Sequence, residues 1–231
     1  IKELLVTLKR LKNFGKKTMK KHQNKYLLKK RLEFLNYAKT HIANNGLKQN
    51  TFKDISNKYK LDLNETELLF PEGNVDLVKF ALEKLNSDLE EYCKKIDLIR
   101  LPTHKRIKKV LLSKIFLMNR DKIFYKTIFL NLLIPKKYLS LPKQLYNSVD
   151  QIWFIAGDSS VDFNFYTKRL ILSGIYSRIM LFFFNNDDQV GLEKILDEDL
   201  KRVSKIPEIK SKFKVFKEYI PKFAKFIKNS N

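Results

Sequence analysis

Cysteine and histidine are scarce in this 231-residue chain, which has one cysteine, Cys93, and three scattered histidines, His22, His41 and His104. A disulfide framework needs paired cysteines and a zinc cluster needs grouped Cys and His ligands, so both are excluded. So few cysteines are also typical of a reducing compartment. Six glycines and six prolines leave little material for turns, which disfavours an all-β fold. We therefore expect no metal and no cofactor.

Long hydrophobic runs are also lacking. The longest uninterrupted apolar run, Ile179–Phe184, is far shorter than the roughly 18 residues that cross a bilayer. No secretory hydrophobic segment opens the chain. The chain begins at Ile1 and not at methionine, which favours a processed or truncated start. We expect a folded protein without a transmembrane helix, because its hydrophobic content of 44% is typical of globular chains.

Positive charge is abundant, but it is concentrated at the two ends. The net charge is +22, of which residues 1–31 carry +11 and residues 201–231 carry +8, so the 169 residues between them carry +3. An AT-rich genome would explain an excess of lysine over arginine (39 against 8), but not its concentration at the ends. Such ends suit an anionic partner, either a nucleic-acid backbone or lipid headgroups.

Apolar residues recur at spacings of three and four along nearly the whole chain, which predicts an all-α fold. Thr51, Asn64, Asp76 and Asp121 are candidate N-terminal residues of successive helices. The expected long helix from Asp162 to Phe184 is apolar on nearly all sides in its second half. The pattern predicts four segments: a basic extension (1–26), a helix-turn-helix-like subdomain (27–92), a set of further helices (93–206), and an amphipathic helix (207–231).

The charge of the predicted helix-turn-helix argues against DNA binding. Its second short helix, Asn64–Phe70, would lie in the major groove of DNA. However, the stretch from Leu61 to Val78 contains five acidic residues and no Lys or Arg, and these would repel phosphates. We expect no nucleic-acid partner. A transcriptional regulator that uses the basic N-terminal arm for DNA remains the alternative.

The last 25 residues have the pattern of a basic amphipathic helix. Apolar residues form a stripe at spacings of three and four, lysines flank it, and Pro221 is expected to kink it. This pattern is typical of a helix that lies in the plane of an anionic membrane surface. Packing of the stripe on the protein body is the alternative. The predicted membrane-contact residues are Phe213, Phe216, Lys217, Ile220, Phe223, Lys225, Phe226 and Ile227.

The stretch "WFIAGDSSVDFNFYTKR" (153–169) has the most polar chemistry in the chain. A Gly-Asp-Ser hydrolase would need a histidine base, commonly downstream, whereas all three histidines lie upstream. We instead expect Gly157 to end one helix, Asp158, Ser159 or Ser160 to cap the next, and Lys168 and Arg169 to pair with Asp158 or Asp162. We therefore predict no catalytic residues, and the chain is not expected to be an enzyme.

The same stretch resembles the Coq-nine family of ubiquinone (coenzyme Q) biosynthesis proteins. That family has the recurrent pattern W-x-x-A-G-D-x-S/T-x-D-F-N-x-Y-T-x-R followed by L-x-x-x-Y. The residues in register are Trp153, Ala156, Gly157, Asp158, Ser160, Asp162, Phe163, Asn164, Tyr166, Thr167, Arg169, Leu172 and Tyr176. Weaker likeness extends over about residues 27–205. Between Asn and Tyr the family often has Trp, whereas this chain has Phe165.

The resemblance implies a TetR-like helical bundle that does not read DNA and that forms a homodimer through its last two body helices, here Asp162–Phe184 and Asp188–Lys205. It also implies association with the inner membrane, on the mitochondrial matrix side or the bacterial cytoplasmic side. The implied ligand is an isoprenoid lipid or quinone precursor, presented to the di-iron demethoxyubiquinone hydroxylase. The residues assigned to the lipid cavity are Leu145, Val149, Ile152, Trp153, Ile175 and Ile179. Those assigned to hydroxylase docking are Asp162, Phe165, Tyr166 and Arg169.

Overall fold

A computed structural model describes residues 25–132, 141–158 and 163–204. All regular secondary structure in these ranges is α-helical, which confirms the predicted all-α fold. The helices are α1 (residues 25–45), α2 (Thr51–Tyr59), α3 (Leu63–Leu69), α4 (Asn74–Cys93), α5 (Thr103–Asn119), α6 (Lys122–Leu132), α7 (Leu141–Ile155), α8 (Phe163–Asn185) and α9 (Gln189–Ser204).

The chain forms two compact units, and the boundary between them lies inside α4. The first unit ends at Leu77 and the second begins at Val78. The sequence pattern had suggested a subdomain limit at residue 92, near the end of the same helix. A helix that continues from one unit into the next has no break in its apolar period, so the sequence pattern does not mark this position.

The first unit has the predicted outline of one long helix followed by two short ones. An aromatic cluster joins them: the ring of Phe34 on α1 lies 4.9 Å from that of Phe52 on α2 and 5.3 Å from that of Phe70 after α3. Gly46, with a φ of +75°, ends α1. The acidic α3 contributes Glu65 to an ion pair with Lys30 on α1.

Two predicted helix starts are corrected by the backbone. Asp62, and not Asn64, caps α3, since its extended backbone lets the carboxylate accept from Asn64 N at 2.9 Å. The next helix begins at Asn74, before the predicted Asp76, whose carboxylate reaches back to accept from Glu72 N at 2.9 Å. In both cases a capping side chain lay within two residues of the expected position.

The second unit is built around α5 and α8. Helix α5 packs against α6, α7 and α9, and α8 packs against the same three helices. Having helices on several sides explains why α8 is apolar nearly all round, although Leu181 on it is 51% exposed. The most deeply buried apolar side chains of this unit include Val110, Leu111, Ile128, Val149, Ile152, Leu172, Ile179 and Leu196.

Candidate functional site

The end of α7 has the hydrogen bonds of a Schellman motif, as its Gly-Asp sequence predicted. Gly157 N donates to Phe154 O at 3.0 Å, and Asp158 N donates to Trp153 O at 3.0 Å. Gly157 has a φ of +81°, which the motif requires. The Arg106 guanidinium on α5 braces this turn by donating to Ala156 O at 3.2 Å. The turn therefore directs the chain from α7 towards α8 in a defined conformation.

Replacing Gly157 with alanine is expected to lower the free energy of unfolding by about 1–2 kcal/mol. A Cβ atom there would lie 3.1 Å from Arg106 Nη1, on a backbone that side chains rarely adopt. Gly174, inside α8, is a matched control because nothing lies within 4 Å of its Cβ position. Gly174→Ala should stabilise by about 0.5–1 kcal/mol. Urea unfolding of both variants measures the difference, and equal effects would contradict the account.

Asp158 joins the end of α7 to the first turns of α8. Its side chain is 4% exposed, and its two oxygens accept from Lys168 Nζ at 2.7 Å and from Arg169 Nη1 at 3.0 Å. Of the two partners predicted for these cations, Asp158 and Asp162, the structure shows Asp158 paired with both. Asp158 is thus held by buried ion pairs to α8.

Arg169 is the centre of this network. It is 4% exposed, donates from Nε to Asp150 Oδ1 at 2.6 Å and from Nη1 to the Phe165 carbonyl at 3.2 Å, and its guanidinium lies 3.3 Å from the Phe165 ring centroid. The sequence analysis had placed Arg169 on a docking surface. Its burial corrects that assignment, since the side chain positions Phe165 and does not itself face solvent.

Phe165 and Tyr166 are both partly exposed. Their rings meet edge to face with centroids 5.1 Å apart, so they form one aromatic surface. Trp153 is buried beneath the network, where its Nε1 donates to Lys168 O at 3.2 Å and the Lys168 ammonium lies 5.3 Å from its ring. The predicted docking role of Phe165 and Tyr166 stays a prediction. Asp162, the fourth assigned docking residue, lies outside the described residues.

A largely apolar cavity of about 40 Å³ lies in the second unit. Helices α4 to α8 contribute its lining side chains: Leu82, Leu85, Met118, Tyr125, Ile128, Phe129, Gln144, Leu145, Ser148, Tyr176, Met180 and Phe184. This volume holds roughly three water molecules, whereas pockets for organic ligands span about 300–1,000 Å³. A lipid can therefore enter only if the lining side chains move.

The cavity contains one of the six side chains that the sequence analysis assigned to it. Leu145 lines the cavity. The other five are buried in the same unit, and their role in lipid binding stays a prediction: Val149, Ile152, Trp153, Ile175 and Ile179. The membrane-contact residues predicted in the last helix, Phe213, Phe216, Lys217, Ile220, Phe223, Lys225, Phe226 and Ile227, lie outside the described residues.

The sequence analysis missed Lys114, which is 1% exposed on α5. Burial lowers the pKa of Lys114 from 10.5 to about 7. Its position was visible in the sequence, because it lies four residues from Val110 and four from Met118, both buried on the apolar side of the helix. A lysine at a core position of a helical stripe was the signal that could have identified it.

Neither a metal cluster nor a membrane-spanning helix is found in the described part of the chain. Among these residues no group of three or more His, Cys, Asp or Glu side chains is placed to hold a metal ion. None of the helices described combines the length and apolarity that crossing a bilayer requires.

Comparison with known proteins points to the segment that contains α7, α8 and α9. The COQ9 family model matches residues 139–207. The chain is 46% identical over 46 residues to the rat ubiquinone biosynthesis protein COQ9, mitochondrial, which is 20% of this chain and 15% of the rat protein. The human protein of that name is 44% identical over 46 residues, covering 20% of this chain and 14% of its own length.

A longer and weaker match covers more of the chain. The probable ubiquinone biosynthesis protein coq9, mitochondrial, of Dictyostelium discoideum is 27% identical over 134 residues, which is 52% of this chain and 41% of that protein. The chain thus aligns with less than half the length of each of these relatives. The motif of the α7–α8 connection, the family-model match over residues 139–207 and these relatives together show that this part of the chain is similar to the COQ9 family.

Proposed function

We propose that this chain is an accessory protein of ubiquinone biosynthesis that binds isoprenoid quinone precursors and presents them to the demethoxyubiquinone hydroxylase. Similarity to the COQ9 family supports the pathway, since the relatives are named ubiquinone biosynthesis proteins. The observation that carries the lipid-binding part is the apolar cavity among α4 to α8. Two of its helices, α7 and α8, belong to the segment that the family model matches.

The proposal includes an accessory role without catalysis. The network around Asp158 supports it, because both carboxylate oxygens of this buried side chain are bound to Lys168 and Arg169. A general base or nucleophile must be within reach of a substrate, whereas the Asp158 side chain is 4% exposed and is paired with two cations. We assign these charges to holding the α7–α8 connection.

The proposed location is the surface of the inner membrane, with a homodimer as the working unit. The relatives carry mitochondrial names, and the basic amphipathic pattern of residues 207–231 would bind an anionic surface. For the dimer, we propose the faces of α8 and α9 that carry the exposed Leu181 and Val190.

Lipid extracted from the purified protein is expected to contain an isoprenoid with an oxygenated ring. Leu145→Trp should lower the amount because the indole would occupy the cavity that Leu145 lines. Asn147→Trp, at an exposed position on the same helix, is the matched control and should leave the amount unchanged. Mass spectrometry of the extract checks both, and an empty protein or one that carries phospholipid alone would contradict lipid presentation.

Docking of the hydroxylase is expected to depend on the aromatic surface formed by Phe165 and Tyr166. Phe165→Ala should weaken the complex by at least about 10-fold, as expected for an aromatic anchor at an interface. Phe165→Trp should equal or exceed the original affinity because indole adds contact area. Ile123→Ala, at a 61% exposed site on α6, is the control. Titration calorimetry with the purified hydroxylase measures the affinities, and equal binding by the Ala variant would refute this surface.

A further inference from the structure

Lys114 has more hydrogen-bond donors than its surroundings use. The side chain is buried, its Nζ donates to Asn86 Oδ1 on α4 at 3.1 Å, and it lies 5.4 Å from the ring centroid of Tyr176 on α8. Within the described part of the chain, Asn86 is the single hydrogen-bond acceptor for this amine. A lysine has up to three N–H donors. Lys114 therefore keeps donors that a bound molecule could use.

Gln151 on α7, by contrast, has an unused hydrogen-bond acceptor. Its Nε2 donates to the Asn86 main-chain carbonyl at 2.5 Å. Its Oε1 is buried and has no hydrogen-bond partner among the residues described. Buried polar atoms without a partner cost stability, and an explanation is expected for each of them. Lys114 and Gln151 thus both bind Asn86. Lys114 has free hydrogen-bond donors, and Gln151 has a free acceptor.

We call these three residues the polar pole. Each is about one helical turn from a lining residue: Asn86 from Leu82 on α4, Lys114 from Met118 on α5, and Gln151 from Ser148 on α7. Tyr176 connects the polar pole with the cavity, because its side chain lines the cavity and its ring faces the amine of Lys114. Farther along α6 and α8, the lining is apolar, with Ile128, Phe129, Met180 and Phe184.

We propose that the polar pole binds the hydroxyl-bearing aromatic ring of a prenylated phenol or hydroquinone, while its hydrocarbon chain lies along the apolar part of the cavity. This inference rests on the proposed lipid-binding function and adds the orientation and class of the head group. A ring hydroxyl both accepts and donates a hydrogen bond. Its oxygen accepts from Lys114 Nζ and its hydrogen is donated to Gln151 Oε1.

The pairing of a free donor with a free acceptor selects among lipids. A carboxylate or phosphate group accepts hydrogen bonds only, so it would satisfy Lys114 and leave Gln151 Oε1 unpaired. An oxygen-free isoprenoid would satisfy neither atom. Because sites with buried polar groups reject analogues that leave those groups unpaired, the polar pole distinguishes a ring hydroxyl from both. Ring entry requires the Tyr176 side chain and its neighbours to move apart, as the small cavity volume already demands.

Binding of four probes tests the inference: prenylhydroquinone, its dimethyl ether, the oxygen-free isoprenoid farnesene and the fatty acid oleate. The wild-type chain should bind prenylhydroquinone more tightly than the dimethyl ether. Lys114→Met should weaken prenylhydroquinone binding by about 10- to 100-fold and leave farnesene binding within about 2-fold. Gln151→Met, a second variant that removes the acceptor, should also weaken prenylhydroquinone binding. Lys108→Met, on the same helix and paired with Asp197 at the surface, is the control and should change neither affinity.

Each outcome separates the inference from the function on which it rests. A wild-type chain that binds none of the probes overturns both. A wild-type chain that binds farnesene and prenylhydroquinone equally, with no effect of Lys114→Met or Gln151→Met, overturns the polar pole and leaves lipid binding intact. Tighter binding of oleate than of prenylhydroquinone would assign the pole to acidic lipids and would also overturn the inference.

Discussion

Replacing Lys114 with methionine is expected to raise the free energy of unfolding at pH 7 by an amount on the order of 3 kcal/mol. Methionine has a similar length and shape and carries no charge to desolvate. The wild-type chain holds this amine in the core with Asn86 as its acceptor and a pKa lowered by burial to about 7. Urea unfolding of wild type, Lys114→Met and the surface control Lys108→Met measures the difference.

The increase in the free energy of unfolding of Lys114→Met should depend on pH, in a direction set by the lowered pKa of Lys114. Between about pH 7 and 10.5, the unfolded chain keeps the Lys114 proton and the folded chain does not. Wild-type stability therefore rises with pH through this window, whereas the variant has no such dependence. The advantage of the variant should be largest near pH 7 and below, and shrink by pH 9.5. Tyr176, whose pKa is raised by burial to about 12, is common to both chains.

A stabilised variant that binds prenylhydroquinone poorly would show why a lysine occupies this position. Natural proteins accept destabilising residues where they serve binding or catalysis. Loss of stability in Lys114→Met would instead mean that the amine and Asn86 are part of the framework. That result would contradict the stability prediction, and the probe-binding experiment would still decide the role of the polar pole.

Replacing Arg169 with methionine should lower the free energy of unfolding by about 3–5 kcal/mol, which is typical when one partner of a buried ion pair is removed. Asp158 would keep its charge at 4% exposure and would retain its ion pair with Lys168. Asp150 would lose its ion pair with the Arg169 guanidinium, which lies 2.6 Å away. Phe165 would lose the cation that lies against its ring. The network would then lose the group that joins α7 to α8.

Lys168→Met is a matched control because it removes the other cation from the same Asp158. The Lys168 side chain is 37% exposed, so its loss should cost about 1 kcal/mol or less. In Arg169→Met/Asp158→Asn, removal of the uncompensated charge should make the combined loss smaller than the sum of the single losses. Urea unfolding at low and high salt measures these values, and equal losses from the two cation replacements would contradict a buried role for Arg169.

Interactions close in sequence were predictable because they depend on local geometry. The helical stripes predicted an all-α chain, Gly157 predicted the end of α7, and Asp158 was one of the two partners predicted for Lys168 and Arg169. Near misses such as Asp62 in place of Asn64 also fit this view, since several capping side chains stood within a few residues. The family motif lies in the same local stretch, which is why it was recognisable.

Contacts that join distant residues needed the tertiary structure. Asp150 lies 19 positions before Arg169, and only the packing of α7 on α8 brings them within 2.6 Å and buries the guanidinium that had been placed on a docking surface. The cavity likewise required five helices to converge, so of six predicted lining residues Leu145 alone is found in the lining. An apolar stripe predicts that a side chain is buried, but it does not predict which of the buried side chains border a cavity.

The amino-acid sequence by itself determined the all-α class, the helix limits to within a few residues, Asp158 as a candidate partner of Lys168 and Arg169, and the family motif. The tertiary structure decided the burial of Arg169, the site of the cavity and the placement of Lys114 beside Asn86 and Gln151. The physical reason is the distance along the chain over which each kind of interaction acts. Helical period, capping and pairing act over a few residues, whereas desolvation of a charge and the closing of a cavity depend on which helices meet.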